Sequence, residues 1–220
     1  MLSISILAIL IGYFIGSIPT AYIVVKHISR RDIRREGSGN VGALNSYEVT
    51  RKKWVGITVL ACDVGKGALA VIVVSWLVRS EYLIQALAAV SAILGHNFNI
   101  WLKFHGGRGL ATALGAMLLL GGIFPLVWCL LWCATFMIRR NVHVGNIAAS
   151  VLSPIAVIML PGAWIQATSF WTPTCVENVR WLCTAVCVLV LLRHSDFIYR
   201  FLRAKRDQFY SVQRKDFNGT

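Results

Sequence analysis

Two stretches of this chain combine glycines, short polar side chains and cations at spacings that suit an oxyanion. The first, Gly37-Ser38-Gly39-Asn40-Val41-Gly42-Ala43-Leu44-Asn45, follows Arg30, Arg31, Arg34 and Arg35 and precedes Arg51, Lys52 and Lys53. Its glycines allow tight turns that bring backbone N–H groups close to a ligand, while Ser38, Asn40 and Asn45 add short hydrogen-bonding groups. The second runs from Gly95-His96-Asn97 through Lys103 to His105-Gly106-Gly107-Arg108-Gly109. Each lies at the edge of a long apolar run, and on one side of a membrane the two would form one phosphate site. The first loop alone leaves a second reading open, a solvated Gly/Asn turn with a basic flank.

Asp63 and Lys66 stand one turn apart inside an otherwise apolar run. Ionisable groups in a span cost about 2.5–3.5 kcal/mol each on insertion scales, so they are expected to pair, either to support or line the polar site or simply to position helices as a self-neutralising pair. Six cysteines at 62, 129, 133, 175, 183 and 187 fall mostly within apolar runs. They lack the loop clustering of a zinc site and are read as packing, so no metal and no cofactor is expected. His27 and Asp32 match an H-x-x-x-x-D acyltransferase pattern, which two fixed residues in a polar loop match by chance.

The elements that must carry these groups are membrane helices. The 220 residues are 57% hydrophobic, with a formal charge of +13 and a mean hydropathy of +0.66. That composition is too apolar for a nucleic-acid binder despite its charge, so no nucleic-acid partner is expected. A span needs about 20 apolar residues, and the first runs from Leu2 to Val25 with Pro19 inside it. It is not expected to be a cleaved signal, because no Lys or Arg precedes it. Further spans are expected over Trp54–Val78, Tyr82–Leu94, Val144–Ile165 and Val179–Leu192. The block Leu110–Ile138 reads as two short spans broken at Gly121-Gly122, or as one tilted helix.

Charge favours two spans in that block. An all-α integral membrane protein of about seven transmembrane helices then has every Lys and Arg except Lys66, Arg79 and Arg180 on one face. By the positive-inside rule the N-terminus is outside and the C-terminus cytoplasmic, with both glycine loops on the cytoplasmic side. No internal repeat is visible, so residues 1–220 are read as a single polytopic membrane domain with a basic cytoplasmic tail over 193–220.

Three blocks, in order, resemble the bacterial membrane glycerol-3-phosphate acyltransferases that use acyl phosphate as donor. They are Gly16-Ser17-Ile18-Pro19-Thr20-Ala21-Tyr22 with Asp32-Ile33-Arg34 and Gly37 to Ala43, then Asp63 with Lys66-Gly67-Ala68, then Gly95-His96 through Lys103-Phe104 to Gly106-Gly107-Arg108-Gly109-Leu110-Ala111-Thr112. A final Arg193-His194 extends the likeness over nearly the whole chain. The resemblance implies a seven-span enzyme of the bacterial inner membrane. Its site would face the cytoplasm and make lysophosphatidic acid from acyl phosphate and glycerol 3-phosphate without coenzyme A or metal. It also implies membrane lipid as surroundings and a functional link to the enzyme that forms acyl phosphate.

On that resemblance Ser38, His96, Lys103 and His194 are catalytic. Gly37, Gly39, Asn40, Gly42, Asn45, Gly106, Gly107 and Arg108 hold phosphate, and Asp63 and Lys66 support them. An acyl phosphate has a good leaving group, so direct attack by the glycerol hydroxyl needs no Ser or Cys nucleophile. The chain departs from the family pattern at Leu44, Glu48, Asn99, His105, Arg108, Phe197 and Ala204-Lys205-Arg206. Glu48 replaces an Arg near the expected phosphates, with Arg51 one turn away as a substitute cation. The competing readings are a membrane carrier for an organic phosphate and a catalytically altered paralogue with another acceptor.

Overall fold

The computed structural model describes residues 2–78, 81–171, 173, 175–195, 197–199 and 203. Among them every regular element is helical. The altered tail positions Ala204-Lys205-Arg206, and most of the tail, lie outside the described residues. The helices are α1 (Leu2–Gly16), α2 (Thr20–Ser29), α3 (Ala43–Thr50), α4 (Lys53–Val78), α5 (Tyr82–Asn97), α6 (Leu110–Leu120), α7 (Ile123–Arg139), α8 (Val142–Met159), α9 (Gly162–Ala167) and α10 (Val176–Leu192).

Four helical segments are long and apolar enough to cross a membrane: Leu2–Ser29, Lys53–Leu77, Tyr82–Leu102 and Val142–Met159. Most of their outward side chains are apolar, with Trp76 82% and Met159 81% exposed, as expected of surfaces facing lipid. The Leu110–Ile138 block is two helices, α6 and α7, separated at Gly121-Gly122. At 11 residues α6 is about 16 Å long, short of the hydrocarbon thickness.

Two expected boundaries need correction. The first apolar run is not one helix but α1 and α2, broken over Ser17-Ile18-Pro19, because Pro19 lacks an N–H and cannot continue the ladder. The carbonyls exposed at the break are taken by distant side chains, one from the turn after α5 and one from α4: Asn99 Nδ2 donates to Ser17 O at 2.6 Å and Lys66 Nζ to Ile18 O at 3.1 Å. Irregular backbone at membrane depth survives where neighbours satisfy it in this way. The run expected over Val144–Ile165 likewise ends at Met159, and Pro161 starts the separate short helix α9.

Small residues set the helix spacing. β-Carbons on Gly12 and Gly16 of α1 would overlap the Ala88 and Ala92 carbonyls of α5. One on Gly67 of α4 would overlap the Thr112 carbonyl of α6, and one on Gly115 that of Val64. Without a hydrophobic drive between helices in lipid, such close approach supplies the packing. These two seams fix α1 on α5 and α4 on α6, which brings the end of α5 and the start of α6 together. Cys183 and Cys187 pack in the resulting core, Cys129 and Cys133 are exposed, and all six cysteines are free.

Candidate active site

The first glycine loop is built around Asn45, which begins the second half of the first turn of α3. Its side chain is 1% exposed and turned into the loop. Asn45 Oδ1 accepts from the Ser38 N–H at 3.0 Å, and Nδ2 lies within 3.0–3.3 Å of the Asn40, Glu36 and Ile33 carbonyls. Gly37 and Gly39 adopt φ of 58° and 71°, a region costly for other residues. Gly42 caps α3 without a side-chain bond, leaving the helix N-terminus at the loop. Asn45 was expected to bind phosphate directly; its amide instead braces the loop. Ser38 is exposed, and Gly39 and Asn40 are half-buried.

The base of the loop is tied down separately. Asp32 accepts from Arg34 Nε at 3.0 Å and Nη2 at 2.7 Å, and the Arg34 guanidinium lies 5.2 Å from the Tyr22 ring centre. The Arg34 hydrogen bonds pull the Asp32 carboxyl down to about 2, and Asp32 in turn raises the Arg34 pKa. The Asp32 carboxylate of the H-x-x-x-x-D pattern thus serves Arg34.

Asp63 and Lys66 are buried and paired at 2.9 Å. Asp63 Oδ1 also accepts from Thr20 Oγ1 at 2.6 Å and lies 3.7 Å from His96 Nδ1. The pair therefore joins the α1–α2 break to α4 and to the last turn of α5. His96 is 6% exposed, and a β-carbon on Gly107 would overlap its Nε2. The same β-carbon would lie 2.7 Å from the Val41 carbonyl oxygen, so the two glycine loops abut beside this histidine.

The second loop starts from a short turn over Ile100–Leu102, capped by Asn99 Oδ1 accepting from the Trp101 N–H at 3.1 Å. Lys103 and Phe104 follow at φ of 56° and 62°, conformations uncommon outside glycine, with Lys103 exposed. Gly106 and Gly107 are buried and held from outside the loop. Arg193, at the end of α10, donates Nε to Gly107 O at 3.0 Å and Nη2 to Gly106 O at 3.2 Å, with its guanidinium 5.4 Å from the Phe98 ring centre. Arg108 is half-buried, with Nη1 3.0 Å from His143 Nδ1.

His194 is 1% exposed. Its Nδ1 lies 2.8 Å from Val190 O and its Nε2 3.3 Å from Asn146 Nδ2, while Asn146 Oδ1 accepts from Trp132 Nε1 at 2.8 Å. This chain of hydrogen bonds runs into a cavity of about 480 Å³ lined by Leu60, Leu114, Phe124, Trp128 and Trp132, with Asn146 at its polar side. Glu48 is exposed about 9 Å along α3 from Gly42, and Arg51 is the C-terminal cap of that helix. Neither lies at the loop end of α3. Among the described residues no group of His, Cys, Asp or Glu is arranged to hold a metal.

Sequence reasoning thus found both loops and the buried pair, and it missed the roles of Arg193, His143, Asn146 and Thr20. Arg193 carried a signal as a cation ending an apolar run. The other three are ordinary polar residues within or beside helices, and their partners are distant in sequence.

Fold and site together define an all-helical integral membrane protein whose polar groups converge from two glycine loops and several helix ends. The chain belongs to the glycerol-3-phosphate acyltransferase family, whose model matches residues 6–204. Glycerol-3-phosphate acyltransferase 2 of Moorella thermoacetica is 43% identical over 160 residues, covering 72% of this chain and 80% of that protein. The Myxococcus xanthus glycerol-3-phosphate acyltransferase is 34% identical over 201 residues, covering 91% and 97%. The fold matches the crystal structure of PlsY (YgiH), an integral membrane glycerol 3-phosphate acyltransferase, in its glycerol 3-phosphate form. That match has a TM-score of 0.74 at 26% identity, covering 91% of this chain and 92% of the other.

Proposed function

We propose that this protein transfers a fatty acyl group from acyl phosphate to the 1-hydroxyl of sn-glycerol 3-phosphate, giving lysophosphatidic acid and inorganic phosphate. The observation that carries the reading is the junction of the two glycine loops beside His96. Backbone N–H groups, exposed Ser38 and Lys103, and half-buried Asn40 and Arg108 suit two phosphate-bearing substrates. Buried Asp63, Lys66 and Asn45 hold that surface in place.

The hydroxyl oxygen attacks the acyl carbonyl carbon, a carbon–oxygen bond forms, and the bond from that carbon to the phosphate oxygen breaks. The phosphate leaves with the electron pair of that bond. The hydroxyl proton is carried off with the departing phosphate, while His96, with Nε2 against Gly107 and Nδ1 toward Asp63, holds the loop junction. No covalent acyl-enzyme is needed, and the work is positioning and stabilisation of developing negative charge. The apolar cavity beside Asn146 suits the acyl chain.

On this reading the chain spans the bacterial inner membrane about seven times, as one polytopic domain with its site on the cytoplasmic side. The charge asymmetry of the loops supports that orientation. The test is incubation of the purified, detergent-solubilised protein with labelled glycerol 3-phosphate and either palmitoyl phosphate or palmitoyl-CoA, followed by lipid extraction. Labelled lysophosphatidic acid from palmitoyl phosphate alone is the expected result. Product from palmitoyl-CoA alone would refute the donor, and no product from either would refute the transfer.

A further inference from the structure

We infer that His143 is a positioning residue that aims Arg108 at a substrate phosphate. The inference rests on the proposed function only in taking Arg108 as a phosphate ligand. Arginine has hydrogen-bond donors and no acceptor, so the 3.0 Å contact between Arg108 Nη1 and His143 Nδ1 requires a lone pair on Nδ1. The ring is then neutral, with its hydrogen on Nε2.

Three elements keep that lone pair in place. Asn141 caps α8, its Oδ1 accepting from the backbone N–H groups of His143 at 2.9 Å and Val144 at 3.2 Å, which fixes the start of the helix. The Phe197 ring lies against the imidazole at 4.7 Å between centroids, and the His194 ring is 6.3 Å away. The acceptor facing Arg108 thus comes from helix α8, two aromatic neighbours restrict its ring, and none of these groups belongs to the glycine loops.

Arg108 opens the turn before α6, where Gly109 takes a φ of 81°. Unrestrained, its long side chain samples many rotamers, and arginine meets phosphate best through a fork held in one plane. A rigid acceptor behind the guanidinium lowers the ordering cost when phosphate arrives. Arg108 and Phe197, far apart in sequence, meet on this one histidine. His143 therefore ties the second glycine loop to the end of α10 through side chains, alongside the Arg193 clamp on the loop backbone.

The test compares wild type, His143→Leu, His143→Asn, Arg108→Ala and the double variant His143→Leu/Arg108→Ala, each first checked for an unchanged melting temperature in detergent. His143→Leu is expected to raise KM for one of the two phosphate substrates about 10-fold, with kcat within about 3-fold of wild type. His143→Asn places Oδ1 where Nδ1 stood and is expected to restore most of that loss. In the Arg108→Ala background His143→Leu is expected to add nothing, because it acts through the missing side chain.

An unchanged KM in His143→Leu, an equal loss in both backgrounds, or no rescue by asparagine would each overturn the inference. Titration calorimetry of inorganic phosphate with the same proteins reads the coupling without turnover. A protein inert toward palmitoyl phosphate and glycerol 3-phosphate would thus sink the proposed function while the coupling is still measured.

Discussion

Gly107 lies against the imidazole of His96 with no room for a β-carbon, which would overlap Nε2 and also press on the Val41 carbonyl oxygen. The contact is where the two glycine loops meet, so its effect on activity measures how much their relative position matters. Gly107→Ala is expected to lower kcat/KM for glycerol 3-phosphate by about 100-fold, as sub-ångström displacement of positioned groups does. Steady-state turnover with labelled acceptor checks it. A loss smaller than threefold would show that the junction adapts.

The buried Asp63–Lys66 pair predicts a stability pattern distinct from any catalytic one. Removing one partner leaves an uncompensated charge, so Asp63→Asn or Lys66→Met is expected to cost about 3–5 kcal/mol. The double replacement, which leaves no charge behind, is expected to melt closer to wild type than either single variant. Thermal unfolding in a fixed detergent tests the order, and additive losses would contradict it.

Asn45 gives the opposite signature, a functional loss with a smaller loss of stability. Asn45→Ala removes the acceptor for Ser38 N–H and the donor to three carbonyls, and KM for a phosphate substrate is expected to rise about 10-fold. Asn45→Asp keeps an acceptor but turns an anion toward carbonyl oxygens, so it should be worse than alanine. Kinetics on the two variants in parallel decide the point. An aspartate variant better than alanine would mean that the carbonyl contacts matter little.

The base of the first loop predicts an acid sensitivity. Asp32 is held at about 2, below its ordinary value of 3.8, by hydrogen bonds from Arg34. A depressed carboxyl contributes stability that is fully present above the ordinary value and is lost as pH falls through about 4 toward 2. Limited proteolysis between residues 30 and 45 is therefore expected to accelerate below about pH 4 in wild type, while Asp32→Asn is cut faster already at pH 7. Equal cleavage of the two proteins at neutral pH would contradict the role given to this carboxylate.

What was legible in the sequence followed local signals. Apolar runs marked α4, α5 and most of α8, glycines marked the loops, and Asp63 with Lys66 stood out because charge is rare in such runs. The break at Ser17-Ile18-Pro19 is not marked locally, since proline is tolerated in membrane helices and the side chains that take its carbonyls, Lys66 and Asn99, are far away in sequence. Residue type alone does not assign Asn45: a short amide in a glycine loop serves a ligand and a backbone brace equally well, and its burial and hydrogen bonds make it the brace. Glu48 stands near the loop in sequence, yet it is an exposed residue along α3.

The Arg193 clamp also has a consequence for assembly, because it joins residues made far apart in time. Its two acceptors precede it by 86 and 87 residues, and the Asn146–His194 bond closes over 48. While the chain is being threaded into the bilayer, the second glycine loop emerges and waits without its guanidinium until α10 is released and seated. A chain stopped before α10 therefore lacks the guanidinium that holds the Gly106 and Gly107 carbonyls.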